Sequence, residues 1–360
     1  MTATSIAVPQ RRLIGPSAPI LPLTGLLVVV LVVSIPLAVA VGAADIAVGA
    51  VVEVFYSAIS GQPAGQLKTG TVNIVWEIRL PRVLLACIVG SGLAAVGTVM
   101  QALVRNPLAD PYILGVSSGA SVGAAAVIMF NAFGLRAIFG SWAISAAGFA
   151  GASVAMVVVY TIARGPLGLS PTRLILGGVA ASYVFAAITS LLIFLGDPRA
   201  ASSVMFWLLG GLGRAQWSAL LVPAAALVAA SLYFVIRAPW LNALALGDDT
   251  ARTVGIDLAR FRLLLFVLCS LLTGVMVAIS GAIGFVGLIM PHFARLIVGA
   301  DHRRVLMISL PAGALFLVWA DAVARTIVAP QVLPVGVITA LVGGPLFIAL
   351  LIRRTRASVR

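Results

Sequence analysis

Charged side chains are scarce in this chain. Asp, Glu, Lys and Arg make up 9% of its 360 residues, whereas a soluble domain carries about 25% charged residues. Hydrophobic residues account for 62% of the sequence instead. This composition excludes an ordinary soluble protein and predicts an all-α, polytopic integral membrane protein.

Cysteine and histidine are also rare, with two of each. Cys87 and Cys269 both lie within apolar segments, where a thiol behaves as a small hydrophobic group. His292 and His302 cannot form a metal site by themselves, and no cluster of carboxylates accompanies them in the sequence. We therefore expect no metal site, no catalytic residue and no cofactor bound by this chain.

Long apolar runs, in contrast, recur along the whole sequence. A helix needs about 20 apolar residues to cross a hydrocarbon core of about 30 Å. The runs predict about ten transmembrane helices within one transmembrane domain that spans residues 1–360. The predicted segments are residues 21–43, 83–104, 112–130, 137–163, 174–195, 215–236, 263–282, 284–300, 305–328 and 335–352.

The distribution of arginine predicts the orientation of these segments. An even number of helices places both termini on one side, and the loops of that side hold roughly twice the arginine of the other side. The tail 1–20, the loop 237–262 and the basic tail 353–360 are therefore predicted to be cytoplasmic. The net charge of +13 does not indicate nucleic acid, because the arginines are scattered at helix ends rather than gathered on one face. Membrane lipid is the expected surrounding.

A polar interruption, RNPLADPYILGVSSGA at residues 105–120, separates two apolar segments. A residue before proline avoids helical geometry, so one helix ends near Arg105, and Asp110 caps the next helix with Pro111 at its first position. Glycine then recurs at every fourth position, which lets another helix approach closely. These glycines are Gly115, Gly119 and Gly123. The helix is either a packing surface or part of a pathway that its serines line.

Glycine also recurs at every third position before Pro291, at Gly281, Gly284 and Gly287. This spacing predicts a sharp backbone turn that packs closely against its neighbours.

Five blocks of sequence, in this order, resemble the permease subunits of bacterial ABC importers for iron(III)-siderophores, haem and cobalamin. They are RLPRVLLA at 79–86, MQALVRNPLADPYILGVSSGA at 100–120, LALGDDTARTVGID at 244–257, GAIGFVGLIMPHFARLIVGADHR at 281–303 and LPVGVITALVGGPLFI at 333–348. The resemblance covers essentially the whole chain. It implies the type II ABC importer permease fold in the bacterial cytoplasmic (inner) membrane.

The resemblance also implies a set of partners. A second permease subunit completes a homodimer, two ATPase subunits bind from the cytoplasm, and a periplasmic or lipid-anchored binding protein delivers the substrate. ATP and Mg²⁺ then belong to the ATPase subunits. The nearest imitation of a phosphate-binding loop in this chain, residues 61–70, has no glycine before Lys68, so it fails the required spacing. We do not expect this chain to be an enzyme.

The loop at residues 237–262 is the predicted contact with the ATPase. Its sequence predicts one short amphipathic helix, with apolar residues between Leu244 and Ile256 available to pack and acidic residues near its start. The residues alone are also compatible with a simple connector, whereas the resemblance implies a coupling segment that ATP-driven closure moves. The predicted coupling residues are Leu246, Gly247, Asp248, Asp249, Ala251, Arg252 and Gly255, the last as a helix cap.

Three arginines fall at or near the predicted outer face, against the charge rule: Arg79, Arg82 and Arg325. Such cations either extend to lipid headgroups or pair with acidic groups. The resemblance implies that they hold glutamates of the binding protein. Asp321, one helical turn before Arg325, is also placed to pair with it.

The resemblance places the transport pathway along the fifth helix and the short helix after it, and the gate at the 106–111 turn together with SPTR at 170–173. The candidate residues are Asn106, Leu108, Ser117, Ser118, Thr172, Met205, Phe206 and Trp207. The last three either line a cavity or pack inside the protein. Pro171 stands where some members of the family have a hydroxyl residue, so the gate departs from their pattern.

We therefore expect an importer permease whose substrate is an iron(III)-siderophore, with haem or cobalamin as alternatives carried by the same machinery. An ion-coupled secondary transporter is the alternative from a different class. It requires intramembrane acids that bind H⁺ or Na⁺, and Asp321 is nearly the only candidate.

Overall fold

The chain folds almost entirely into helices. The computed structural model describes residues 20–62, 65, 67–165 and 168–358, so most of the N-terminal tail and the last two residues of the basic tail lie outside the described part. The helices are α1 Ile20–Ala40, α2 Val48–Ser60, α3 Thr69–Asn73, α4 Leu80–Leu103, α5 Val116–Phe130, α6 Leu135–Phe139, α7 Ala143–Ala163, α8 Pro171–Leu195, α9 Pro198–Leu208, α10 Leu221–Ile236, α11 Ala238–Leu246, α12 Asp248–Thr253, α13 Leu258–Ser280, α14 Val286–Val298, α15 His302–Thr326 and α16 Val335–Ser358.

Short elements complete the chain. A wider π-helical segment, Ile74–Arg79, leads into α4, and single 3₁₀ turns lie at Pro111–Leu114, Ala132–Gly134, Gly140–Trp142 and Trp217–Ala219. Two short strands, β1 Arg164–Gly165 and β2 Gly168–Leu169, pair antiparallel with Arg164 opposite Leu169.

Each of the ten predicted apolar segments coincides with a helix, which confirms the all-α membrane fold. Among the described residues, seven helical segments are long and apolar enough to cross a membrane, and shorter apolar helices are Val48–Ser60, Val116–Phe130, Val286–Val298 and Val335–Ala349. The first of these shorter helices lies in a stretch that we predicted to be a loop. It was missed because a 13-residue helix is too short to be recognised as a membrane span.

The second predicted segment begins too late in the sequence. The helical stretch starts at Thr69 rather than at residue 83 and continues to Leu103, although Pro81 lies inside it. Proline removes a backbone donor and crowds the preceding turn. The π-helical segment just before it, in which the Leu80 N–H reaches back to the Val75 carbonyl, is the kind of widened turn that accommodates such a residue.

Close glycine contacts hold the centre of the bundle together. α4 packs against α13, α14 and α15, and α5 packs against α7. Gly90 meets the backbone of Gly313, and Gly97 meets that of Gly287, with no room for a Cβ atom at either contact. Such backbone contacts are how small residues bring membrane helices together. α4 is therefore the buried axis of the protein.

The outer helices present apolar surface instead. α8 exposes large hydrophobic residues along its length, Tyr183 and Phe194 among them, and α1 and α10 do the same. A continuous apolar surface of this kind faces lipid or another subunit. We call the end of the bundle that holds residues 237–262 the loop end, and the end that holds Arg79, Arg82 and Arg325 the arginine end.

Candidate functional site

The loop at 237–262 forms two short helices rather than the single helix predicted. α11 and α12 are separated by Gly247, whose φ of 131° is accessible to glycine and strained for other residues. Gly255, with φ of 78°, ends α12 as predicted, and its N–H donates to the Arg252 carbonyl. The two glycines therefore allow the chain to change direction immediately before and shortly after α12.

The two faces of the loop differ in character. Leu246 and Val254, two of the apolar residues that we predicted to be available for packing, are 76% and 62% exposed. Leu244, Ala251 and Ile256 are buried and fix the loop to the bundle. Asp249 and Arg252 are exposed. We call the surface formed by Leu246, Asp249, Arg252 and Val254 the loop face.

Asp248 points away from the loop face. Its two carboxylate oxygens accept hydrogen bonds from the Arg262 guanidinium at 3.0 and 2.6 Å, and Arg105 Nη1 lies 3.3 Å from Oδ1. The pKa of the Asp248 carboxyl is below its ordinary value: partial burial is the largest single effect and acts to raise it, but Arg262, Arg105 and Arg252 together outweigh burial. Among the described residues, the Asp248 carboxylate therefore contacts arginines of the same chain.

The turn after α4 lies where it was predicted, but Asp110 caps a single 3₁₀ turn rather than the next helix, because Gly115, at φ 70°, interrupts the chain before α5 begins at Val116. The Asn106 Oδ1 accepts from the Leu108 N–H at 2.9 Å, and the Asp110 Oδ1 accepts from the Tyr112 N–H at 2.9 Å, which caps the turn that begins at Pro111. Loss of hydration raises the pKa of the Asp110 carboxyl to about 6, against the opposing effect of the Tyr112 hydrogen bond. The Asp110 carboxyl thus holds the 3₁₀ turn that precedes α5.

The 3₁₀ turn at Pro111–Leu114 meets a non-helical segment, residues 281–285, inside the bundle. The Tyr112 hydroxyl donates to the Ile283 carbonyl and accepts from the Ile283 N–H, each at 2.8 Å. Gly287 lies against Pro111, and Gly281, at φ 67°, lies against the Trp207 carbonyl. The predicted sharp turn and close packing of 281–287 are confirmed, but its partner Tyr112 was missed because nothing in the sequence relates residues 171 positions apart.

The predicted gate residues occupy different surroundings. Ser117 is buried and Ser118 half-buried on α5, whereas Thr172 is exposed in the first turn of α8. The contact between the 111–115 turn and α8 runs through Gly178, which meets the Ile113 carbonyl. As predicted, Gly119 and Gly123 let a neighbouring helix approach, and this helix is α7, at Gly151 and Ala147.

The three candidates on α9 do not share one environment. Met205 and Phe206 are exposed, whereas Trp207 is buried. Phe206 and Trp207 line a cavity of about 320 Å³ together with Arg82, Arg214 and Leu333, and Trp207 and Arg214 also line a second cavity of about 330 Å³. Arg214 was not predicted as a site residue. It lines both cavities, and nothing in the sequence indicates that position.

Arg79 is turned into the protein. Its guanidinium donates to the carbonyls of Val39, Ala40 and Ala44 at 2.9, 2.7 and 2.6 Å, and the residue is 6% exposed. It therefore satisfies the carbonyl groups left open where α1 ends.

Asp321 is shared between two arginines. Arg82 donates to it through Nε at 3.0 and 3.1 Å and through Nη2 at 2.8 Å. Arg325 Nε lies 3.0 Å from Oδ2, in the predicted pairing one turn apart. Arg325 also donates to the carbonyls of Val41 and Ala38 at 2.7 and 3.0 Å.

These contacts bear on the predicted docking residues. The side chains of Asp321 and Arg325 are 1% and 6% exposed, and that of Arg82 is 12% exposed. Arg79 and Arg325 extend to backbone carbonyls rather than to the surface, so in this conformation neither reaches an external glutamate. Arg82 also lines the cavity beside Phe206. Docking of a binding protein stays a prediction for all three arginines.

Within the described residues, His, Cys, Asp and Glu do not gather into any group of three or more that could hold a metal ion.

Comparison with known proteins identifies relatives along most of the chain. Residues 27–353 match the FecCD transport family. The hemin transport system permease protein HmuU of Yersinia pestis is 40% identical over 291 residues, which cover 80% of this chain and 86% of that protein. The vitamin B12 import system permease protein BtuC of Salmonella paratyphi A is 41% identical over 296 residues, which cover 82% and 88%.

Solved structures share the fold. One, described as an inward-facing conformation of a metal-chelate type ABC transporter, superposes with a TM-score of 0.79 at 31% identity and covers 92% of this chain and 99% of its own. PsaBC from Streptococcus pneumoniae superposes with a TM-score of 0.52 at 18% identity over 75% of this chain and 90% of its own, which is a likeness of fold alone.

Proposed function

The chain belongs to the FecCD transport family and is a membrane-embedded permease subunit of an ABC importer, and on that premise we propose that it forms the path for a bulky metal chelate. An iron(III)-siderophore is the first substrate to expect. Haem and cobalamin are the alternatives, because relatives of nearly equal similarity are named for hemin and for vitamin B12.

We further propose the assembly in which this happens. Two copies of the chain pair through exposed apolar surface such as that of α8, and two ATPase subunits supply ATP hydrolysis with their own Mg²⁺. A periplasmic or lipid-anchored binding protein meets the arginine end. The loop end and both termini are then cytoplasmic, in the bacterial inner membrane, as the distribution of arginine predicts.

The observation that carries this proposal is the loop face. Leu246 and Val254 are exposed apolar residues beside the exposed charges of Asp249 and Arg252, and buried Ala251 fixes the helix beneath them. An exposed apolar patch with a polar rim is typical of a protein interface. A surface held this firmly can transmit force to the helices that flank it.

The ion-coupled alternative finds little support in these contacts. Its candidate acid, Asp321, is compensated by Arg82 and Arg325. Its side chain is 1% exposed and is already bound by both guanidinium groups, so it offers no open site for a transported ion.

The experiment is transport by the assembled complex. The permease, its ATPase and its binding protein are reconstituted in proteoliposomes, and a ferric hydroxamate siderophore, haemin and cyanocobalamin are supplied separately. ATP-dependent uptake of one chelate is expected, and Leu246→Glu is expected to abolish it by removing the ATPase from the complex. Ile59→Glu, a change at an 87% exposed apolar residue on α2, is the matched control.

Uptake driven by a proton or sodium gradient in the absence of ATP would refute the proposal. Uptake of haemin or cyanocobalamin alone would keep the importer and change its substrate.

A further inference from the structure

Asp248 joins three separate parts of the chain at one carboxylate. It lies in the first turn of α12, Arg262 lies near the start of α13, and Arg105 lies at the start of the turn after α4. Arg262 binds both carboxylate oxygens, and Arg105 binds one of them. A displacement of α12 therefore acts on a helix of the bundle and on the turn before α5.

The contact with Arg262 is the rigid part of this junction. A guanidinium that binds both oxygens of a carboxylate fixes the relative orientation of the two groups as well as their distance. The Arg262 side chain is 6% exposed, and its buried Nε has no hydrogen-bond partner among the described atoms. Asp248 consequently supplies the counter-charge that this buried cation requires.

A second ion pair in the same loop shows what an ordinary surface contact looks like. Asp257 and Arg260 lie 3.2 Å apart within one helical turn, and their side chains are 55% and 90% exposed. Such a pair is worth little and connects nothing beyond its own helix. The Asp248 junction differs on both counts, because it is partly buried and spans different elements.

Asp249, the next residue, has the opposite exposure. It belongs to the loop face and forms no ion pair with any of the described residues. Of these two adjacent carboxylates, Asp248 therefore contacts the protein and Asp249 faces outward.

We infer that Asp248 is a positioning residue that transmits movement of α12 to α13 and to the turn at 105–111. The inference rests on the proposed function and deepens it. The ATPase contacts the loop face, and Asp248 carries the resulting displacement inward without touching the ATPase. Buried Ala251 and Ile256 hold α12 against the bundle, but apolar contacts are not directional, whereas the bound guanidinium fixes an angle.

The test compares Asp248→Asn with Asp249→Asn in the reconstituted complex. Both variants remove one charge from neighbouring positions of the same helix. Three quantities are measured: the affinity of the permease for the ATPase subunit, the rate of ATP hydrolysis, and the amount of chelate imported for each ATP hydrolysed. The chelates are the ferric hydroxamate siderophore, haemin and cyanocobalamin.

Asp248→Asn is expected to keep the affinity for the ATPase and to lower import per ATP about tenfold, a typical size for coupling between sites. Asp249→Asn is expected to lower the affinity and to leave import per ATP unchanged. Asp248→Glu keeps the charge and is expected to restore most of the import.

A second variant separates transmission from folding. Arg105→Gln leaves the buried Arg262 paired with Asp248 and removes only the link to the turn. It is expected to preserve the thermal unfolding midpoint of the isolated permease and to lower import per ATP. If Asp248→Asn does not fold, this variant still decides the question.

Unchanged import per ATP in Arg105→Gln and in a folded Asp248→Asn would overturn the inference. A loss of ATPase affinity in Asp248→Asn equal to that in Asp249→Asn would overturn it as well, because Asp248 would then belong to the subunit contact. Failure of the unmodified permease to bind the ATPase or to import any of the chelates would instead refute the proposed function.

Discussion

The Tyr112 hydroxyl forms two hydrogen bonds with one residue, Ile283, as donor to its carbonyl and as acceptor from its N–H. Tyr112 lies in a single 3₁₀ turn and Ile283 in the non-helical segment between α13 and α14. Backbone that leaves its helix inside a membrane protein needs partners supplied by the protein itself. One phenol oxygen thus replaces the hydrogen bonds that a helix would have provided at Ile283.

Tyr112→Phe is therefore expected to destabilise the permease. It leaves a backbone donor and an acceptor without this partner, at a cost of about 1–3 kcal/mol for each group left unsatisfied. The thermal unfolding midpoint in detergent is the measurement. Tyr183→Phe is the matched control, because Tyr183 is 76% exposed. Equal midpoints for the two variants would contradict this account of the hydroxyl.

Asp321→Asn is expected to be more damaging. It leaves Arg82 and Arg325 without the carboxylate that they share, and removal of one partner from a buried pair costs about 3–5 kcal/mol. Asp257→Asn, in an exposed pair, is the control for the loss of one carboxylate. A detergent-purified Asp321→Asn protein that unfolds at the same temperature as the control variant would show that the cluster is dispensable for stability.

Arg79→Gln separates a structural role from a docking role. The guanidinium holds two carbonyl groups in the last turn of α1 and one just after it, so the unfolding midpoint of the permease is expected to fall. Hydrogen bonds from a charged group contribute about 1.5–3 kcal/mol each. Arg214→Gln, at an exposed arginine, is expected to leave the midpoint unchanged.

Affinity for the binding protein is measured on the same two variants. A loss of affinity in Arg79→Gln with an unchanged midpoint would reverse this assignment and support docking through Arg79.

Asp110 gives the permease a pH dependence of defined sign. Its pKa is raised from 3.8 to about 6 in the folded protein, so the folded state binds the proton more tightly than the unfolded state does. Stability from this group is then fully present below about pH 3.8 and is lost as the pH rises through about 6. Asp110→Asn can still cap the turn and does not titrate.

The measurement is the unfolding midpoint of both proteins between pH 4 and pH 7. The wild-type midpoint is expected to fall relative to that of Asp110→Asn across this interval, whereas a constant difference would show that Asp110 does not titrate there.

Local chemistry accounts for what the sequence predicted correctly. Apolar length located the helices, proline and Asp110 located the turn, and the spacing of Asp321 and Arg325 predicted their pair. Each of these signals lies within a few residues along the chain. A single sequence therefore contains the information needed to find them.

Contacts between distant residues account for what was missed. Arg82 and Asp321 are 239 positions apart, and neither residue signals the other in the sequence. The loop shows the same limit on a shorter scale. Asp248 and Asp249 are chemically identical, and only the folded structure shows that Asp248 is the one that lies against Arg262 and Arg105. That both residues lie in the loop at 237–262 was predictable from the sequence, whereas the direction of each side chain was not.

The contact between Arg325 and the Ala38 carbonyl joins residues 287 positions apart, which has a consequence for biosynthesis. The first helix is made long before α15 leaves the ribosome, so the Ala38 carbonyl waits for nearly the whole polypeptide before this donor arrives, whereas the carbonyls of Val39 and Ala40 receive Arg79 early. A nascent chain that stops short of α15 lacks the hydrogen bond between Arg325 and Ala38. The bundle is therefore completed only when translation is almost over.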